Sequence, residues 1–149
     1  MIAKYRTGSL KDLDGINAVE VACFEPLLRF PRSLLQRMMR DRITLIAEVE
    51  GQIAGLVMAS IHKEKSQIVG YIDTLEVLPQ CRGCRIGHTL LAIAEDELRA
   101  KHASYVALHV AITNGAAIAL YKKQGYEIVS TAEHFYADKT AAHLAVHLL

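Results

Sequence analysis

The strongest constraint on this chain lies between residues 68 and 111. An apolar strand pattern, "IVGYIDTLEVLP", is followed by a glycine-containing loop, "QCRGCRIG". A helical period comes next, then a second apolar run, "SYVALHVA". Two strands joined through a helix form a βαβ unit. Its strands run parallel, because the helix returns the chain to the end of the sheet where the first strand began. A parallel pair is buried on both faces, so the remaining elements have to be arranged around it.

The flanking sequence supplies those elements. "IAKYR" (2–6) reads as a short strand. In "GSLKDLDGINAVEVACF", Ser9 and Asp12 have the spacing of a capping box, and Leu10, Leu13, Ile16, Val19 and Cys23 recur at helical intervals. Pro26 and Pro31 interrupt the pattern, and "RSLLQRMMR" reads as a second short helix with Pro31 near its start. "RITLIAEV" and "QIAGLVMASIH" flank Glu50-Gly51, a hairpin signal, and "KEKS" is a polar turn. After the βαβ unit, Asn114 opens a helix in "NGAAIALYKKQG" and Gly125 stops it. "YEIVSTA" and "AAHLAVHLL" read as closing strands. The predicted order is β-α-α-β-β-β-α-β-α-β-β. That is a mixed α/β (α+β) sheet, mostly antiparallel, in one domain spanning 1–149, with neither repeat nor linker.

Composition narrows the function. The chain is 52% apolar and carries a formal net charge of +1, which gives no electrostatic case for nucleic acid or an anionic membrane. Arg29, Arg32, Arg37, Arg40 and Arg42 form a modest basic cluster, read as the solvated face of a helix. No apolar run reaches the roughly 18 residues of a bilayer span, and the N-terminus has no apolar signal core. Three cysteines, an odd number, suit a reducing compartment. The expectation is a cytoplasmic protein, monomeric or homodimeric.

The loop of the βαβ unit carries the chemistry. At the start of the second element the backbone N–H groups are free and the helix dipole favours an anion. Arg82 and Arg85 can add charge-assisted bonds. A plain strand-to-helix turn would have similar residues, and the loop alone does not separate the two. Cys81, Cys84 and His88 fall short of the four ligands of a structural zinc site, so no metal is expected.

The segment "VLPQCRGCRIGHTLL" resembles the acetyl-CoA-binding motif of the GNAT N-acetyltransferases. Val77, Pro79, Arg82, Gly83, Ile86, Gly87, Leu90 and Leu91 match it, and Arg85 stands where a glycine is usual. "NGAAIALYKKQGYE" is similar to the family's downstream motif through Asn114, Ala117, Ile118, Leu120, Tyr121, Gly125 and Tyr126. The resemblance implies a GNAT fold, with acetyl-CoA in a cleft where two central parallel strands splay apart. The pyrophosphate would rest on the loop of Arg82, Gly83, Cys84, Arg85, Ile86 and Gly87. The pantetheine arm would pair with backbone near Leu75 and Val77, with Asn114 and Tyr121 also at the cofactor. Transfer would be direct, and Tyr121 would serve as the acid toward the leaving thiolate.

Within the family, the chain looks like the protein N-terminal acetyltransferases, both the NatE-type catalytic subunit and the ribosomal-protein alanine acetyltransferase. The first of these implies His109 and Tyr71 as the deprotonating groups. Phe24 and Tyr136 are the implied acceptor contacts, and in "EHFY" Phe135 replaces one tyrosine of an aromatic pair. Asp73 and Glu76 are rival bases. In a regular strand Tyr71, Asp73, Leu75 and Val77 share one face, and Glu76 lies on the other. The acceptor implied is a peptide N-terminus. A protein α-amine, with pKa near 7.7–8.0, is about 10–20% neutral at pH 7, while a lysine near 10.4 is almost wholly protonated. A small-molecule amine, or a non-catalytic role as an acyl-CoA-binding protein, are the alternatives.

Overall fold

The structure is a computed structural model that describes residues 2–149. Seven strands form one sheet in the order β1-β2-β3-β4-β5-β7-β6. They are β1 (Ala3–Thr7), β2 (Ile43–Val49), β3 (Gln52–Glu64), β4 (Gln67–Val77), β5 (Tyr105–Ala111), β6 (Glu127–Ala132) and β7 (Ala142–Leu148). The helices are α1 (Leu13–Cys23), α2 (Arg32–Asp41), α3 (Ile86–Ala100) and α4 (Gly115–Lys123). Element order and type agree with the sequence reading. The "KEKS" turn shrinks to Lys65–Ser66, because β3 and β4 pair as far as Glu64 with Gln67.

Local chemistry explains the joints. Glu50 and Gly51 both hold positive φ, 52° and 76°, which is what a two-residue hairpin requires. Asp12 reaches back to the Ser9 N–H at 2.8 Å, so the expected capping contact is made. Asn114 Oδ1 accepts from the Ala117 N–H at 3.2 Å and caps α4, and Gly125 ends that helix at φ 98°.

The sheet separates two cores. On one face α3 and α4 pack with Val57, Ala59, Ile72, Leu90, Leu91, Leu98, Val106 and Leu108. On the other, α1 and α2 pack with Ile46, Leu56 and Met58 through Leu13, Ile16, Val19, Leu35 and Met38. Leu90, Leu91 and Leu98 are fully buried, each contributing about 1.5–3 kcal/mol. The basic cluster divides. Arg32, Arg37 and Arg40 are exposed on α2, but Arg29 and Arg42 lie outside that helix and are half-buried. Arg29 donates to the carbonyls of Phe24 and Val21, and Arg42 pairs with Asp41 and Asp73, so neither is simply solvated.

Two features of β4 position the site. Its ladder to β5 is parallel and short, running from Val69 opposite Tyr105 to Ile72 opposite Leu108. Beyond that the two strands diverge. Against β3 the register shifts, with Met58 opposite Thr74 but Ala59 opposite Ile72, which leaves Asp73 as an extra, bulged residue. A single extra residue exchanges the two faces of a strand. Ile72 therefore shares the α3 face with Leu75 and Val77, and Tyr71 shares the α1 face with Thr74 and Glu76. This corrects the regular-strand expectation: Glu76 lies on the face of Tyr71, not opposite it.

Candidate active site

The divergence of β4 and β5 opens a cleft of about 650 Å³. Of the expected cofactor residues, Leu75, Val77, Arg82, Gly83, Arg85, Ile86, Gly87, Asn114 and Tyr121 all line it, and so does Phe24. Cys84 is exposed, with its thiol 4.0 Å from the Arg82 carbonyl and outside the lining set.

The loop before α3 has the backbone an anion needs. Gly83 holds φ 82° with no atom within 4 Å of where a Cβ would stand, so its backbone is open to close approach. Arg85, the N-cap of α3, is in the left-handed region at φ 63°, ψ 16°. That explains why a glycine is usual there: an L side chain costs roughly 1–2 kcal/mol in that conformation. The turn survives the substitution, and Arg85 brings a guanidinium to the same cleft. These N–H groups, the helix terminus and two arginines fit the diphosphate of acetyl-CoA. Arg82 is partly committed, since its Nε donates to the Val77 carbonyl at 3.0 Å and its Nη2 lies 3.8 Å from Cys23 Sγ. The Cys23 thiol also reaches the Val77 carbonyl, at 3.4 Å.

On the α1 face of the sheet several aromatic side chains meet outside the lining of that cleft. The Tyr71 hydroxyl and His109 Nδ1 are 2.7 Å apart. Phe135 stacks on the His109 ring at 4.3 Å with an 18° interplanar angle, and Tyr136 meets Phe135 edge-on at 4.9 Å. Tyr121 belongs to the α3-side core, yet it lies within electrostatic range of the Tyr71 and Tyr136 phenols on the opposite face. The gap between β4 and β5 is where the two faces communicate.

Burial tunes these groups. Desolvation lifts the Tyr121 phenol well above its ordinary value and pushes Tyr71 up to about 12, so both hold their protons at neutral pH. The same cause lowers His109, which keeps its imidazole neutral. The rival carboxylates are otherwise engaged. Asp73 is turned toward Ser60 and Arg42, with Arg42 Nε at 3.3 Å from Oδ1, and burial raises its pKa against those partners. Glu76 is 3% exposed and meets the carboxyl of Glu20 on α1. Sequence reasoning passed over Glu20, although it stands four residues after Ile16 on the apolar stripe of α1. His62 was also passed over; its ring meets Tyr71 edge-on at 6.3 Å.

Among the described residues, no helix is long and apolar enough to cross a membrane. No group of three or more His, Cys, Asp or Glu residues among them could hold a metal ion.

Comparison with known proteins agrees with this geometry. Residues 13–126 match the acetyltransferase (GNAT) family. An N-alpha-acetyltransferase of Sulfurisphaera tokodaii is 34% identical over 108 residues, covering 66% of this chain and 65% of that protein, just under two thirds of its length. The NAA10 catalytic subunit of the Arabidopsis thaliana N-terminal acetyltransferase A complex is 29% identical over 136 residues, covering 89% of this chain and 71% of that one. The structure of Arabidopsis thaliana Naa50 in complex with the bisubstrate analogue CoA-Ac-MVNAL matches with a TM-score of 0.86 at 24% identity, over all of both chains. That last likeness speaks for the fold. By its sequence, its splayed sheet and its anion-ready loop, the chain belongs to the GNAT acetyltransferase family and is an N-acetyltransferase that takes its acetyl group from acetyl-CoA.

Proposed function

We propose that this enzyme acetylates the N-terminal α-amine of a peptide or protein, with Tyr71 and His109 receiving the amine proton and Tyr121 serving the leaving sulfur. The observation that carries this reading is the 2.7 Å Tyr71–His109 contact, within electrostatic range of Tyr121 in the cleft lining. The relatives named for N-terminal acetylation support the acceptor class, as does a neighbouring structure that holds a peptide-bearing analogue.

Acetyl-CoA, when bound, supplies the acetyl thioester. The chain's own groups manage binding, orientation and protons. Gly83, Arg82, Arg85 and the start of α3 hold the anionic end. Phe24 and Tyr136 bound the acceptor from the α1 loop and from the segment between β6 and β7. With Nδ1 of His109 unprotonated, the Tyr71 hydroxyl donates into it. A proton taken on the Tyr71 oxygen is then matched by one passed to His109. The neutral imidazole suits an α-amine, which needs little help to lose its proton near neutral pH. The Tyr121 phenol, held above its ordinary value, does not ionise for a thiolate of pKa near 8.5; it donates a strong hydrogen bond that stabilises charge as it develops on sulfur.

The test is a panel of short peptides with free N-termini offered beside N-blocked lysine peptides, polyamines and free amino acids, with thiol release as the readout. Turnover of free-N-terminus peptides alone is the expected result. Turnover of a small amine but no peptide overturns the acceptor assignment. Tight acetyl-CoA binding without thiol release on any amine overturns catalysis itself.

A further inference from the structure

The mechanism leaves one pair of buried titratable groups unused. Glu20 of α1 and Glu76 of β4 are 1% and 3% exposed, and their carboxyls are neighbours in the packed interior. Each carboxyl has one further anchor. Glu20 Oε2 accepts from the Phe30 N–H at 2.9 Å, and Glu76 Oε2 accepts from the Thr74 hydroxyl at 2.7 Å. The remaining oxygens, Oε1 of both, are buried and have no hydrogen-bond partner among the described residues. Two buried carboxylates in contact repel, and neither can donate. One proton held between them removes the repulsion and makes the bond.

We propose that Glu20 and Glu76 share a single proton at neutral pH and act as a positioning pair, clamping the α1 loop that forms the acceptor wall to the strand that guides the thioester. The clamp has identifiable ends. On one side it fixes Phe30, and with it the segment from Phe24 that lines the cleft. On the other it fixes the free half of β4, where Cys23 of α1 adds a contact to the Val77 carbonyl. Acceptor and acetyl group are thereby held on one rigid unit, and misplacement by about 1 Å can cost about 100-fold in rate. This inference rests on reading the Phe24–Phe30 segment as the acceptor wall.

The groups facing the pair are few. Cys23 lies beside it and its thiol is raised, chiefly by burial and then by Glu76; Arg82 acts on that thiol from the loop in the opposite sense. From β3 the residue opposite Glu76 is apolar Leu56. Glu76 itself is raised above the ordinary carboxylate range, first by burial and then by the neighbouring carboxyl of Glu20. A raised carboxyl binds its proton more tightly folded than unfolded. Its contribution to stability is complete below the ordinary glutamate pKa and is lost as pH climbs through the folded value.

The experiment compares wild type with Glu76→Gln and Glu76→Ala. Glutamine supplies a neutral donor to Glu20, whereas alanine leaves Glu20 buried and alone. The acceptor KM of Glu76→Ala is expected to exceed that of Glu76→Gln by at least about tenfold. Acetyl-CoA affinity should differ far less between the two. From neutral into alkaline pH, the ratio of the wild-type acceptor KM to that of Glu76→Gln is expected to climb, and the wild-type melting temperature to fall relative to the glutamine variant. In protein carrying ¹³C at the glutamate side-chain carboxyls, a resonance that disappears in Glu76→Gln should titrate far above the ordinary carboxylate range, apart from that of buried Glu95. That measurement needs no acceptor, so it stands even if the acceptor class proves wrong. The resonances of Glu20 and Glu76 both titrating in the ordinary carboxylate range would overturn the shared proton. Equal acceptor KM values for the glutamine and alanine variants would overturn the clamp.

Discussion

The two halves of β4 share one strand but perform different tasks. From Val69 to Ile72 the strand is paired on both sides, antiparallel to β3 and parallel to β5. From Asp73 to Val77 it keeps β3 and leaves β5, and its other edge borders the acetyl-CoA cleft. The first half is scaffold and carries Tyr71 to His109. The second is the proposed docking rail for the cofactor arm. The bulged Asp73 separates them, and it also returns Glu76 to the face of Tyr71. One extra residue thus changes the direction of every side chain that follows it.

Adding a second extra residue tests the contrast most severely. With the bulge absorbing Asp73, one alanine inserted after it would turn Thr74 and Glu76 toward the α3 core. Burying a carboxylate among Leu90 and Leu98 without Glu20 costs several kcal/mol, a large share of a typical 5–15 kcal/mol. Loss of the cooperative thermal transition is expected in a circular-dichroism melt. An insertion variant that melts like wild type would show that the bulge does not set the faces.

Tyr121→Phe probes the gap without disturbing either half. Removing the hydroxyl proposed to serve the leaving sulfur should lower kcat by about 10²–10⁴. The ring keeps its apolar contacts, so acetyl-CoA affinity by calorimetry should change by less than about threefold. Equal losses in both would make Tyr121 a packing residue.

The smallest effect belongs to the scaffold half. Burial lowers His109, so the neutral imidazole persists to a lower pH than a free histidine allows. Phe135→Ala uncovers the stacked face to water. The His109 pKa should then rise toward its ordinary value near 6.5, and the acidic limb of kcat/KM should move to higher pH. A limb that stays in place would shift the base to another group.

Much of this molecule was legible before any coordinates. The βαβ unit, the Glu50-Gly51 hairpin and the Asn114 cap follow from period, from turn chemistry and from capping, which act over a few residues. The residues of the loop and of α4 were legible by their resemblance to family motifs, and most of them line one cleft. What local pattern did not disclose was long-range. Glu20 and Glu76 are 56 positions apart, and nothing near either announces the other. Arg42 was read with its helix and proves to face Asp73.

The amino-acid order by itself determined which segments are strands, which are helices, and where a phosphate-accepting turn begins, because hydrogen bonding and side-chain period are properties of neighbours. Only the tertiary structure decided which face each residue of β4 presents. The bulge arises from the alignment of β4 with β3, and the open edge from its parting with β5; both are relations between strands rather than properties of either strand.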